Sequence, residues 1–244
     1  MVKLNIRQIS ETHFMIYEQN EINPEVRDKI SNIVSHIESY KHPAILSVTS
    51  SYRSIMVAFD ATTYTYETLI KELNLQNINF ESDSGKKSKK VITLPVVYGE
   101  QYGPDLNIVA EHSQLTKEEV IKLHSDENYL IYAIGFLPGF PFLGGLNKQL
   151  YTPRKETPRS KIKSGSVGIA NNQTGLYPKE SPGGWQIIGR TPIDVFNLER
   201  NPMILYEAGD YISFKAIEEQ EFQEIEREIE SGKFDYSRLV GELN

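Results

Sequence analysis

The chain has 244 residues, with 26 Lys and Arg against 33 Asp and Glu, for a formal net charge of −7. Hydrophobic residues make up 39% and charged residues 24%, which excludes a disordered chain or a collagen and leaves room for one large or two small domains. The sequence contains no cysteine, which excludes disulfides, a thiolate nucleophile and a Cys-ligated metal, and fits a reducing compartment. The first 20 residues alternate apolar and polar side chains instead of forming the apolar core of a signal peptide. No run approaches the ~18 apolar residues of a membrane span. The expectation is a cytoplasmic protein with no membrane contact.

Residues 12–17 (THFMIY) read as a strand. Asn23-Pro24 opens a helix, with Asn as N-cap and Pro at the first helical position. Val26, Ile30, Ile33, Val34 and Ile37 form its apolar face. Two β-rich runs follow at 44–50 and 54–60, then a short helix at about 65–73. The order of strand, helix, strand, strand, helix is the split βαβ pattern of a ferredoxin-like sandwich. Its last strand falls at Leu75–Glu81 or at Val91–Tyr98; the sequence leaves both open. The Lys- and Ser-rich stretch between them reads as a solvated linker, not a nucleic-acid contact.

The second half is differently punctuated. Ten of the 16 Gly lie between 135 and 189, and eight of the 12 Pro between 138 and 202. Such spacing excludes long helices and favours short strands with fixed loops. One helix interrupts it: Thr116 to Glu119 is a capping box, and the helix runs to about His124. Leu130–Phe136, Ser166–Ala170, Gln186–Arg190 and Tyr211–Lys215 are strand-like and suggest a closed or nearly closed barrel. Phe222, Ile225 and Ile229 mark one face of an acidic amphipathic helix.

The charge is uneven. Residues 217–230 hold seven Glu and one Arg, a local −6, while residues 148–163 hold six cations against Glu156, a local +5. The net sign therefore says little about partners.

Standard signatures are missing. There is no Walker-type phosphate loop, no H-E-x-x-H and no G-x-G-x-x-G, and the five His show no metal-ligand pairing. Three other blocks concentrate chemistry. GFLPGFPFLGGL (135–146) sets three Phe on a stiff Gly/Pro backbone; it reads either as a preorganised apolar wall or as a barrel corner. TPRKETPRS (152–160) repeats Pro-Arg at Arg154 and Arg159; the two guanidiniums read as a clamp for a carboxylate or phosphate, or as two surface cations beside turns. SPGGWQIIGRTP (181–192) places the only Trp, Trp185, after two Gly and adds Arg190; Trp185 reads as a pocket rim or as a barrel plug. His124 sits at a helix C-terminus, where the dipole favours a cation; acid–base work is the alternative.

These blocks occur with YGEQYGPDL (98–106), EVIKLHS (119–125), GSVGIA (165–170), TGLYP (174–178) and AGDYISF (208–214) in one fixed order. In that order the chain resembles the PxpB/KipI family, also described as allophanate hydrolase subunit 1 or carboxyltransferase subdomains C and D. The likeness is close over residues 91–217 and rests on element order before them. Glu100 stands where the family usually has Gly, and Ile162-Lys163-Ser164 replaces a Val-Pro-Ala-like run before Gly165.

The resemblance implies an α+β chain: a ferredoxin-like α/β sandwich over 1–88, a cyclophilin-like β-barrel over 89–217, and an acidic helix and tail over 218–244. It also implies the activity of the B component of a 5-oxoprolinase, which cleaves 5-oxo-L-proline to L-glutamate with ATP hydrolysis. That enzyme needs A-type (PxpA-like) and C-type (PxpC-like) subunits, with the B-type subunit paired closely to the C-type one. ATP is then a co-substrate whose site lies on this chain or is shared with a partner. Two other roles occur in the family: inhibitor of a sporulation-type histidine kinase, and carboxyltransferase component of a urea carboxylase or allophanate hydrolase system. A peptidyl-prolyl isomerase role follows only from fold analogy.

Opening a lactam with ATP requires cations for anionic groups, donors for a developing oxyanion, and a base. The expected catalytic residues are Arg154, Arg159 and His124. The expected substrate-binding residues are Phe136, Pro138, Phe140, Phe142, Trp185 and Arg190. No metal ligands are expected.

Overall fold

A computed structural model describes residues 4–19, 24–76 and 89–243. The chain divides into two compact units, Met1–Lys87 and Ser88–Asn244.

In the first unit, β1 (Asn5–Ser10) and β2 (His13–Tyr17) form a hairpin. Helix α1 (Pro24–Ser39), β3 (Ile45–Ser50), β4 (Ser54–Phe59) and α2 (Tyr66–Glu72) follow. The sheet order is β1-β2-β4-β3, antiparallel throughout. β4 thus lies between β2 and β3, as the split βαβ pattern requires. Alternation sends Phe14 and Ile16 of β2, and Ile55, Val57 and Phe59 of β4, to one face. Ile30, Ile33 and Ile37 of α1 and Leu69 of α2 cluster with them. Thr65 caps α2 by accepting from the Thr68 amide. Asn23, the linker and most of Leu75–Glu81 lie outside the described residues.

Strand β1 has no counterpart in the sequence reading. Its burial pattern is almost wholly exposed, so the apolar alternation that betrays a strand is absent.

The second unit opens with β5 (Lys89–Tyr98), α3 (Leu106–Ser113), α4 (Lys117–Ser125), β6 (Asn128–Ile134) and β7 (Pro141–Gly144). Then come β8 (Arg159–Ile162), β9 (Ser166–Ala170), β10 (Gln173–Leu176), β11 (Ser181–Gly183), β12 (Gln186–Arg190) and β13 (Tyr211–Ala216). Helix α5 (Glu219–Glu230) and β14 (Val240–Leu243) end it. The order β12-β9-β10-β7-β6-β13-β5 returns to β12 through pairing of Gly189 and Arg190 with Tyr98 and Val97. Seven strands therefore close a barrel. Val91–Tyr98 belongs to this barrel and does not complete the first sheet; its long run pairs in parallel with β13. The short strands β8 and β11 form a separate ribbon.

The barrel is filled by Leu94, Val96, Ile131, Leu143, Val167, Ile169, Ile188 and Phe214, among others. Residues 218–243 belong to the same compact unit as the barrel. β14 pairs with the start of β5, and Phe222, Ile225, Phe234 and Leu239 are buried. α5 has an apolar stripe that packs inward and a Glu-rich face left to solvent. The capping box on α4 forms as expected, with Thr116 and Glu119 bonded reciprocally.

Gly103 shows why the turn before α3 needs glycine. A Cβ there would lie 1.9 Å from the Ile188 carbonyl oxygen. Only a residue without a side chain lets that turn lie flat on β12.

Candidate active site

The Gly/Pro-rich block after β6 folds as a tight loop, then β7. Its aromatics converge with those of two other blocks. Phe140 makes ring contacts with Phe136, Phe142, Tyr177 and Trp185 at centroid distances of 5.1 to 5.8 Å, three of them edge-on. Phe140, Tyr177 and Trp185 are buried, with Ile162 and Ile187 packed among them. Phe136 is different. It is 74% exposed and holds φ at +69°. A bulky side chain in the left-handed region is strained. Here the strain holds an aromatic ring out at the surface, next to exposed Pro138.

Trp185 is therefore largely a buried member of this cluster, and Phe136 is its exposed edge. Gly183 makes the cluster possible, because a Cβ there would meet the Tyr177 hydroxyl at 2.4 Å. Tyr177 is not among the expected site residues, although it sits in the TGLYP block. Burial pushes its phenol up to about 12 against the opposing pull of Arg154, the Trp185 amide and Arg159.

The two arginines differ in what they touch. Arg154 is exposed and its guanidinium carbon lies 5.8 Å from the Trp185 ring centroid, a cation–π geometry. It has no carboxylate partner among the described residues. Arg159 donates from Nη2 to Asp105 Oδ1 at 2.7 Å. Lys155 approaches the same oxygen at 3.4 Å, and Asp105 Oδ2 accepts from the Ile187 amide at 2.7 Å. Asp105 is 2% exposed. Burial raises its pKa, but the hydrogen bonds from Arg159 and the Ile187 amide, with the charges of Arg159 and Lys155, leave it lowered overall. One ionised carboxylate therefore ties the Pro-Arg segment to β12. Sequence reasoning missed it, since Arg159 lies 54 residues away.

Arg190 does not join this group through any contact among the described residues. It donates from Nε to the Ser164 carbonyl at 2.9 Å and lies 5.5 Å from the Phe222 centroid, facing Glu226 at 4.0 Å. It fastens α5 to the barrel.

His124 is wholly buried. Its ring stacks on Phe214 at 4.8 Å and 23°. Thr174 donates to the Gly168 carbonyl, so its oxygen accepts from His124 Nε2–H at 2.7 Å. Nδ1 is then the acceptor for the Tyr98 hydroxyl at 2.8 Å. Both nitrogens are engaged, and burial lowers the imidazole from 6.5 to about 3. This neutral ring holds α4 against the barrel wall; the geometry gives it no contact with the aromatic and Pro-Arg groups.

Beside Arg154 lies a pocket of about 430 Å³, bounded by Thr152 to Thr157, by Ile108 and His112 of α3, and by Gln186.

Residues 4–206 match the family described as carboxyltransferase domain, subdomain C and D. The chain belongs to this family. Within it, the chain is 35% identical to the B component of 5-oxoprolinase from Bacillus subtilis over 237 residues, 93% of this chain and 98% of that protein. The crystal structure of TTHA0988 is 28% identical with a TM-score of 0.73, over 85% of this chain and 40% of that one. The urea amidolyase of K. lactis shares the carboxyltransferase subdomain fold at 18% identity and a TM-score of 0.75, over 98% of this chain and 16% of that one. The chain thus spans nearly all of the Bacillus relative but well under half of TTHA0988 and urea amidolyase.

Proposed function

We propose that this chain is the B component of a cytoplasmic, ATP-dependent 5-oxoprolinase, converting 5-oxo-L-proline, ATP and water to L-glutamate, ADP and phosphate. It acts with A-type and C-type subunits and is inactive alone. The observation that carries this reading is the similarity to the B component of Bacillus subtilis 5-oxoprolinase along almost its full length.

In this reading ATP phosphorylates the amide oxygen of the lactam. Water then adds to the activated carbon, the ring C–N bond breaks with protonation of nitrogen to leave γ-glutamyl phosphate, and a second water cleaves this acyl phosphate to L-glutamate and phosphate. Arg154, held against Trp185, supplies positive charge to an anionic group of the substrate. Arg159 acts from its bond to Asp105, fixing the segment that presents Arg154. Phe136, Pro138, Phe140 and Phe142 exclude water from one side. His124 positions the barrel wall, and the general base comes from elsewhere, including the partner subunits. ATP binds on a partner or at a site shared with one.

The test is ATP-dependent glutamate production by the three reconstituted subunit types, with each omitted in turn. Loss of activity when this chain alone is omitted supports the assignment. A fully assembled but inactive mixture refutes it, and a kinase-inhibition or biotin-dependent carboxyl-transfer assay then separates the family's other roles. If Arg154→Ala leaves turnover within a few-fold of wild type, Arg154 has no part in the chemistry.

A further inference from the structure

The exposed apolar side chains of the second unit are not scattered. Among the described residues its three most exposed large ones are Leu198 at 75%, Phe136 at 74% and Met203 at 52%. Phe136 stands on the loop that enters β7, and Leu198 and Met203 stand on a hairpin before β13. Phe196 and Ile204 form the bridge that closes this hairpin, and the Asn197 amide donates to the Met203 carbonyl at 2.9 Å. The two loops touch. The Tyr206 hydroxyl donates to the Gly139 carbonyl at 2.6 Å, and a Cβ on Gly139 would lie 2.9 Å from Phe196 Cβ. The hairpin is also braced from within. Arg200 donates to the Asp194 carbonyl at 2.6 Å and to the Met203 carbonyl at 3.2 Å, and lies 4.5 Å from the Tyr236 ring centroid. Single exposed apolar residues are ordinary. Three on two braced, touching loops, one of them held outward by a left-handed backbone, have the make-up of a rigid aromatic anchor with aliphatic neighbours.

The surroundings narrow the occupant. Lys179 faces Asp194 at 3.5 Å and lies 5.6 Å from the Phe196 ring centroid, and Arg200 is engaged with carbonyls; Glu199 is the exposed charge at the hairpin tip. A partner therefore meets apolar surface with little charge to steer it. The pocket along α5 and the pocket beside Arg154 are lined mainly by charged and polar side chains, so neither seats the phenyl ring of a second copy. This fold accounts for 40% of the TTHA0988 chain, where it is covalently joined to a larger second part. Lasting partnerships of that kind bury apolar surface.

Resting on the 5-oxoprolinase reading, we propose that the loops carrying Phe136, Leu198 and Met203 are the docking surface for the C-type subunit, which receives the Phe136 ring in an apolar cleft. The same contact covers the exposed edge of the aromatic cluster, so the candidate site is closed to water only in the assembled complex.

The test titrates the full chain with the C-type subunit, with the A-type subunit and with itself, by sedimentation velocity at about 0.1 M and about 0.5 M salt. Binding of the C-type subunit should change less than about twofold between the two salts. Leu198→Ser should weaken it by about tenfold, and Phe136→Gly by about thirtyfold, the loss of a buried anchor. Leu198 lies outside the candidate site, so with the C-type subunit in excess this variant should keep the wild-type kcat for glutamate production. Glycine takes the left-handed backbone without strain, so Phe136→Gly should leave the urea midpoint of the chain alone unchanged or raised, whereas a purely structural role would lower it. Unchanged affinity in both variants of an active complex overturns the surface and leaves the 5-oxoprolinase reading standing. Binding that is lost at the higher salt, or on Glu221→Gln combined with Glu224→Gln, puts the contact on α5 and overturns the surface too. So does a loss confined to self-association or to A-type binding. A complex that weakens as expected in both variants but makes no glutamate supports the surface and sinks the reading. No association with the C-type subunit overturns the surface, and glutamate production by the three-subunit mixture then decides the reading separately.

Discussion

His124 makes the barrel sensitive to acid in a way that can be isolated. Its imidazole sits at about 3 in the folded protein against 6.5 when solvated, because burial penalises the cation. Between those values the unfolded chain binds a proton that the folded chain does not, so stability falls as pH drops. Well above pH 6.5 the ring is neutral in both states and contributes no pH dependence. At pH 5 the penalty is about 2 kcal/mol from this one group. His124→Gln removes the titration and keeps an amide N–H for Thr174 and an oxygen for the Tyr98 hydroxyl. Urea unfolding at pH 7.5 and pH 5, followed by Trp185 fluorescence, reports on the barrel alone, since Trp185 is the only Trp. Gln costs something at both pH values through lost contact with Phe214, but that cost is the same at each. The quantity to compare is the loss of stability between the two pH values. The wild type should lose about 2 kcal/mol more than His124→Gln. Equal losses in both proteins would show that the imidazole is not held neutral, and the buried Tyr98–His124–Thr174 chain would have to be redrawn.

Two other substitutions test how the Pro-Arg segment and α3 are fixed. Gly103→Ala places a methyl group 1.9 Å from the Ile188 carbonyl oxygen, and backbone cannot yield as a flexible side chain does; a loss of about 3 kcal/mol in urea unfolding is expected, and a loss under about 0.5 kcal/mol contradicts the close packing. Asp105→Asn keeps an acceptor for the Ile187 amide but removes the charge facing Arg159 and Lys155. Arg159 is 28% exposed, so water takes part of the load and the expected cost is about 2 kcal/mol, below that of breaking a wholly buried pair; a neutral effect on the unfolding midpoint would mean that the carboxylate does not anchor this segment.

What could be read from the sequence, and what could not, follows from the range of the physics involved. The helix at Lys117–Ser125 is legible because its cap is local: Thr116 and Glu119 are three residues apart. β9 and β12 are legible as compact apolar runs. Strand β7 is hidden in a block whose Gly and Pro read as loop, and pairing with β6 and β10 makes Pro141–Gly144 a strand. Helix α3 is short and is set by burial of Leu106, Val109 and Ala110 against the barrel, which no local signal announces. The aromatic residues of the candidate site do converge, since one stiff loop supplies Phe136, Phe140 and Phe142. Arg190 follows Trp185 by five residues, but along a strand that is about 16 Å. It therefore meets α5 and not Arg154.

The basic strip at 148–163 looks like the place where a polyanion would bind, yet the structure assigns much of its charge elsewhere. Arg159 and Lys155 share Asp105, and Lys161 pairs with Glu180 at 2.8 Å. Arg154 is left to face the pocket, with Glu156 on the same wall. A guanidinium lying on an indole face is weakly hydrated and presents a planar edge, which suits one carboxylate. A triphosphate would need several unpaired cations or a loop of convergent amides, and the described residues around this pocket offer one free guanidinium and a half-shared ammonium. The charge left around this pocket therefore suits a single carboxylate better than a polyphosphate.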